Sequence, residues 1–193
     1  MTTIDKLQNV LGRNYSTTGS AITWEPTFRK VINKIKPSTI LEIGVWRGYV
    51  TSLLSELCQN VTALDIQDHG GVALWDKLEI DNIERIMCVD NNDKKNKLEK
   101  RHFDFVFIDG DHSYAGVEFD YSITKETCDY IFFHDYNDKY PVFKFINDTL
   151  TGTGNCWQIL GNDTNVSVFA LVVINDTMDL IGSGWLDDNF KRI

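Results

Sequence analysis

The chain has 193 residues and 22.1 kDa, 42% of it hydrophobic and 24% charged, which is enough for one domain with a substantial core. A formal net charge of −9 and a pI near 4.8 exclude an electrostatic grip on nucleic acid or anionic lipid as its mode of binding. No run reaches the roughly 18 consecutive apolar residues of a membrane span, and residues 1–14 lack an apolar signal core.

Cys58, Cys88, Cys128 and Cys156 are widely spaced, with no C-x-x-C pair. They read as reduced, mostly buried thiols of a cytoplasmic protein rather than as zinc ligands or a redox pair. No repeat, low-complexity linker or composition shift marks a boundary. The expectation is one domain: residues 1–29 as a helical arm, 30–150 as the core, and 151–193 as a terminal β-hairpin and tail.

In chain order, five short apolar runs stand out: residues 39–45, 61–66, 85–90, 103–109 and 129–135. Their apolarity is continuous rather than alternating, as in strands covered on both faces. Between them lie helical stretches. Val50, Leu53, Leu54 and Leu57 keep the spacing of a helix with one buried stripe, and Val142, Phe145, Ile146 and Leu150 do much the same. Such alternation predicts a doubly wound, mostly parallel α/β sheet. The chain then turns to "CWQIL", "GNDTN" and "VSVFALVVI". A link of about five residues cannot make a parallel crossover, so the last strand must run antiparallel.

Ligands of open α/β sheets bind outside the carboxyl ends of the strands. Here those ends carry Glu42 and Gly44, then Asp65, Asp90, Asp109 with Asp111 and His112, and His134 with Asp135. All five have an acid at or near the last turn. In "LEIGVWRGYVTSLL", Gly44 permits a tight exit from the strand and Gly48 a close helix start. Trp46 stands where a dinucleotide fingerprint would have its middle glycine, which disfavours a nicotinamide-dependent dehydrogenase. Asp65, 21 residues beyond Gly44, is placed to accept from both ribose hydroxyls. Asp90 could fix an adenine amine, and Glu42 the ligand's amino group. Together these suit a nucleoside with a positive, amino-acid-like tail, a description that fits S-adenosylmethionine.

The stretches "LEIGVWRGYVTSLLSE", "VTALDI", "FDFVFIDGDHSYAGVEFDY" and "IFFHDYNDKYPVFKFIND" resemble class I S-adenosylmethionine-dependent methyltransferases. The likeness is greatest to the branch of macrocin-type sugar O-methyltransferases and cephalosporin-hydroxylase-like proteins, over residues 24–150. It implies a Rossmann-like sheet of seven strands with an antiparallel last strand, and a cofactor site of Glu42, Gly44, Gly48, Asp65 and Asp90. Ile66 and Asp109 join that cofactor set. By the same resemblance Asp109 and Asp135 would be metal ligands and His112 the general base. His134 stands where some relatives carry an acid. Imidazole is a poor ligand for magnesium, so His134 is left between a softer metal, the substrate and support of the loop.

An acceptor hydroxyl must lose its proton as it attacks the sulfonium methyl, so it needs a base or a cation beside it. His112, three residues past Asp109, is placed for the first task, with an ordinary pKa of about 6.5. Magnesium or another divalent ion on Asp109 and Asp135, with His134, would do the second. Asp111 and Tyr114 could orient substrate, and Asp111 could equally cap the helix starting near Ser113. The leading expectation is O-methylation of a small hydroxylated acceptor, a sugar or other metabolite. Alternatives are a metal-independent N-methyltransferase and a non-catalytic S-adenosylmethionine- or nucleotide-binding accessory domain. No nucleic acid or membrane partner is expected; oligomeric state is open, a homo-oligomer included.

Overall fold

The computed structural model describes residues 3–11, 20–160, 167–183 and 190–193. The chain divides into two compact units, Met1–Asp90 and Asn91–Ile193. Residues 161–165, between the two expected strands of the hairpin, lie outside the described residues.

The first unit contains helices α1 (Thr3–Leu11) and α2 (Ser20–Ile35), strand β1 (Thr39–Ile43), helix α3 (Tyr49–Leu57), strand β2 (Asn60–Asp65), helix α4 (Gly71–Leu78) and strand β3 (Ile83–Met87). Its strands run parallel in the order β3-β2-β1. Ile43 pairs with Leu64, and Asp65 with Met87, so the three carboxyl ends stand level. Helix α2 runs through the boundary drawn at residue 30. It packs on α3, and α1 packs on α3 and α4. Val50, Leu53 and Leu54 form the buried stripe of α3, while Leu57 is only half-buried.

The second unit contains α5 (Asn91–Leu98), β4 (Phe103–Ile108), α6 (Tyr114–Thr124), β5 (Cys128–His134), α7 (Pro141–Thr149), β6 (Cys156–Leu160), β7 (Ser167–Val173) and β8 (Phe190–Arg192). Here the order is β4-β5-β7-β6-β8. β4 and β5 are parallel; β7 is antiparallel to β5 and to β6. The expected closing hairpin is therefore β6 and β7, with β7 inserted beside β5. Eight strands are described rather than seven, because β8 pairs antiparallel with β6. Phe105–Ile108 and Tyr130–Phe133 are all buried, as two-sided burial of parallel strands requires. Phe132 and Phe169 stack at 4.6 Å and 9° across β5 and β7.

Buried between α5 and α6 is one ion pair, Lys94 Nζ to Asp120 Oδ1 at 2.6 Å, with side chains 7% and 1% exposed. Burial pushes the Asp120 carboxyl above its usual range and Lys94 opposes the shift. The fold is the α/β, mostly parallel, Rossmann-like methyltransferase fold, with its last strands antiparallel.

Candidate functional site

In the first unit the site is a turn. β1 ends at Ile43, and Gly44 follows at φ 92°, donating its N–H to the Leu64 carbonyl at 2.9 Å. Trp46 adopts the left-handed region as well, at φ 48°, where a non-glycine residue carries strain. Asp65 offsets that strain. Its Oδ2 accepts from the Val45 and Trp46 amides at 2.7 and 2.9 Å, and its Oδ1 from Ile66 and Gln67 at 2.7 and 3.2 Å. The expected ribose acceptor thus also ties its own turn together. Gly48 starts α3 at φ 75°.

Glu42 is held inside the sheet. It is 1% exposed within β1 and accepts a hydrogen bond from the Thr51 hydroxyl of α3. Asp90 is exposed, three residues past the end of β3. Three apolar side chains stand open to solvent where burial would be usual: Trp46 at 46%, Ile66 at 66% and Val89 at 85%. Each follows the carboxyl end of one of three adjacent parallel strands. Ile66 belongs to the expected cofactor set; Trp46 and Val89 do not. Composition gives no hint that these two are exposed, but their place just past strand ends could have found them.

In the second unit strand register assembles the chemistry. Ile108 pairs with Phe133, so Asp109 and His134 come next on neighbouring parallel strands. His134 Nδ1 lies 2.8 Å from Asp109 Oδ1 and 3.1 Å from Asp135 Oδ1. His112 sits between the same two acids, Nε2 at 3.0 Å from Asp109 Oδ1 and Nδ1 at 2.8 Å from Asp135 Oδ2. Asp135 reaches this position from a left-handed backbone, φ 58°. Ser113 caps α6 by accepting from Gly116 N at 3.0 Å, and Asp111 accepts from Ser113 N at 2.9 Å. The cap is therefore Ser113, and Asp111 supports it from two residues upstream rather than capping the helix itself. Tyr114 packs edge-on against Phe145.

Electrostatics follow from this geometry. Hydrogen bonds to Asp109 and then Asp135 raise His112 to about 10, against an opposing burial effect. Burial works against ionisation of Asp109, but hydrogen bonds from His112 and His134 outweigh it and hold the carboxyl below its usual value. The ordinary pKa of about 6.5 expected for His112 therefore does not apply while both carboxylates face it. Ligand atoms of Asp109, His112 and His134 all lie within 4.8 Å of one another, a spacing that could hold a metal ion.

An open glycine turn at parallel strand ends suits a nucleoside-type cofactor, and an acid–imidazole cluster suits proton transfer. The model of the methyltransferase domain family matches residues 41–136, and the chain belongs to the class I S-adenosylmethionine-dependent methyltransferases. Among solved structures, it is similar to an O-methyltransferase from Bacillus cereus in complex with SAH, at 18% identity and TM-score 0.58, covering 89% of this chain and 90% of that one. It is similar to TomG of Streptomyces achromogenes, an O-methyltransferase of tomaymycin synthesis in complex with SAM, at 12%, 0.61, 89% and 87%. The SAH-bound methyltransferase PaMTH1 of Podospora anserina gives 15%, 0.59, 89% and 87%. These identities speak for the fold. Among curated proteins none matches the sequence. Within the described residues no helix is long and apolar enough to cross a membrane.

Proposed function

We propose that this methyltransferase moves the methyl group of S-adenosylmethionine to a hydroxyl of a small acceptor, a sugar or another hydroxylated metabolite. The observation that carries the reading is His112 held between Asp109 and Asp135. A module that only bound the cofactor would need no such clamp.

The cofactor belongs at the first unit's turn. Gly44 and Gly48 let backbone approach it, Asp65 offers carboxylate lone pairs to the ribose, and Ile66 offers an apolar surface to the adenine. Asp90, exposed past the β3 end, would meet the base edge. Glu42, buried against Thr51, would act through the shape of the strand end.

In the transfer, an acceptor oxygen lone pair forms the new O–C bond as the sulfonium C–S bond breaks. The electron pair of that bond stays on sulfur, which leaves as the neutral thioether. The acceptor's proton goes to His112, for which the imidazole must be neutral. Asp109, Asp135 and His134 would hold a divalent cation. When bound, such an ion supplies a Lewis acid for the acceptor oxygen and neutralises the carboxylate charge that otherwise keeps His112 protonated. Both ring nitrogens of His112 face carboxylates, so an acid drawn to the cation would release the nitrogen that takes the proton while the other acid holds the ring.

Calorimetric titration tests the cofactor reading. S-adenosylmethionine should bind and NAD should not. Absence of S-adenosylmethionine binding would end the proposal.

A further inference from the structure

Magnesium is held by oxygen ligands in near-octahedral geometry, and it keeps several waters. Imidazole nitrogen instead suits zinc, iron, nickel and copper. The cluster at the ends of β4 and β5 does not match the first description. Of the three side chains that would hold the ion, Asp109, Asp135 and His134, one brings an imidazole. His134 Nδ1 lies at 2.8 Å from Asp109 Oδ1 and 3.1 Å from Asp135 Oδ1, so this nitrogen faces the same space as the oxygens. Its side chain is 12% exposed, as is that of Asp135.

Nor is the His134 ring a loose neighbour. His134 is the last residue of β5, fixed by pairing to Phe169 of β7. The Phe169 ring backs the imidazole at 5.5 Å between centroids, and Phe169 is itself 1% exposed. The His112 ring stands 6.0 Å from it. An ion drawn to Asp109 and Asp135 meets a nitrogen donor that cannot swing aside.

We propose that His134 makes this a mixed nitrogen–oxygen centre, selecting a divalent first-row transition ion that favours imidazole, such as zinc, iron, cobalt or nickel, over magnesium. The inference deepens the function proposed above, because it names the class of ion on which acceptor activation rests. His134 is then the residue that sets selectivity, and an acid in its place would return the site to magnesium.

The test uses the full chain, stripped with a chelator and titrated calorimetrically with zinc and magnesium, with cobalt followed by visible absorption. Zinc and cobalt should each bind at least about tenfold more tightly than magnesium. His134→Asp should narrow the gap to about threefold or reverse it. His134→Ala should weaken transition-ion binding about tenfold or more, and thermal melts should show both variants folded. If His134→Ala does not fold, His134→Asp still decides the matter. Equal affinities for zinc and magnesium, selectivity unchanged in His134→Asp, or binding of no ion at all would each overturn the inference. Titration of S-adenosylmethionine into the same stripped protein separates the two readings. Cofactor binding without ion selectivity sinks this inference alone. Ion selectivity without cofactor binding sinks the proposed function and leaves the metal centre standing.

Discussion

The indole N–H of Trp75 donates to the Gly48 carbonyl at 3.1 Å, and its ring occupies the space a side chain on residue 48 would need. A Cβ there would lie 2.6 Å from Trp75 Nε1, on a backbone already at φ 75°. Gly48→Ala should therefore lower stability by about 1–3 kcal/mol and weaken cofactor binding with it. Trp75→Phe should keep the packing and lose about 1 kcal/mol. Urea unfolding of both variants, beside cofactor titration, checks the pair; a neutral Gly48→Ala would mean that the turn has room.

Asp65 accepts four backbone amides, two from its own exit and two from the glycine turn. Asp65→Ala should cost about 1.5–3 kcal/mol of stability and raise the S-adenosylmethionine Kd at least about tenfold. Cofactor affinity unchanged in a destabilised protein would confine Asp65 to holding the turn.

His112→Ala should leave cofactor affinity within about threefold of wild type while turnover falls about 100- to 10,000-fold. Once an acceptor is found, single-turnover rates on cofactor-saturated enzyme give the measurement. Near-normal turnover would remove His112 from the chemistry.

The Lys94–Asp120 pair is buried, so breaking it on one side leaves an uncompensated charge. Lys94→Met should destabilise by about 3–5 kcal/mol, whereas Lys94→Met with Asp120→Leu should recover most of the loss. Denaturant midpoints of the single and double variants decide it. Equal losses would show that packing, not charge, is what matters there.

Alkaline pH should expose a different weakness. Burial, helped by the charge of Asp129, pushes the Cys128 thiol up to about 12, and burial does the same for Cys156 against a hydrogen bond from Trp157. In the unfolded chain each ionises near ~8.5. Between those values the unfolded state binds fewer protons, so the thiols' contribution is complete below the lower pKa and lost as pH rises through about 12. Urea midpoints measured from about pH 8 to 11 should fall, and fall less in a Cys128→Ala, Cys156→Ala double variant. Parallel curves would contradict the buried-thiol account.

Much of this was legible in the sequence where a run was continuous and apolar. Residues 103–109 and 129–135 yield β4 and β5 nearly to the residue, because both faces of these strands are covered. β3 is displaced: the expected 85–90 became Ile83–Met87, whose residues are at most half-buried and give a weak pattern. β8 is three residues long, too short for any periodicity to reveal. Asp109 and His112 are three apart and could be paired on sight. The reach of His112 to Asp135 depends on register and on a left-handed residue, neither of which leaves a mark on composition. The bond from Thr51 to Glu42 was not legible, because a strand's residue sequence does not tell which neighbouring helix offers a hydroxyl.

β8 is small, yet it changes what the protein shows to other molecules. A strand at the border of a sheet is a row of open amides and carbonyls on which another chain can polymerise. β6 would be such a template; instead Phe190–Arg192 lies along it, with Phe190 turned inward and Lys191 and Arg192 left exposed. Arg192 is anchored by its Nε to the Gly154 carbonyl at 2.8 Å and lies over the Trp157 ring. Two cations on so short a segment make a poor seed for further pairing. A chain cut before Phe190 should keep its chemistry in dilute solution and lose its shelf life in concentrated solution.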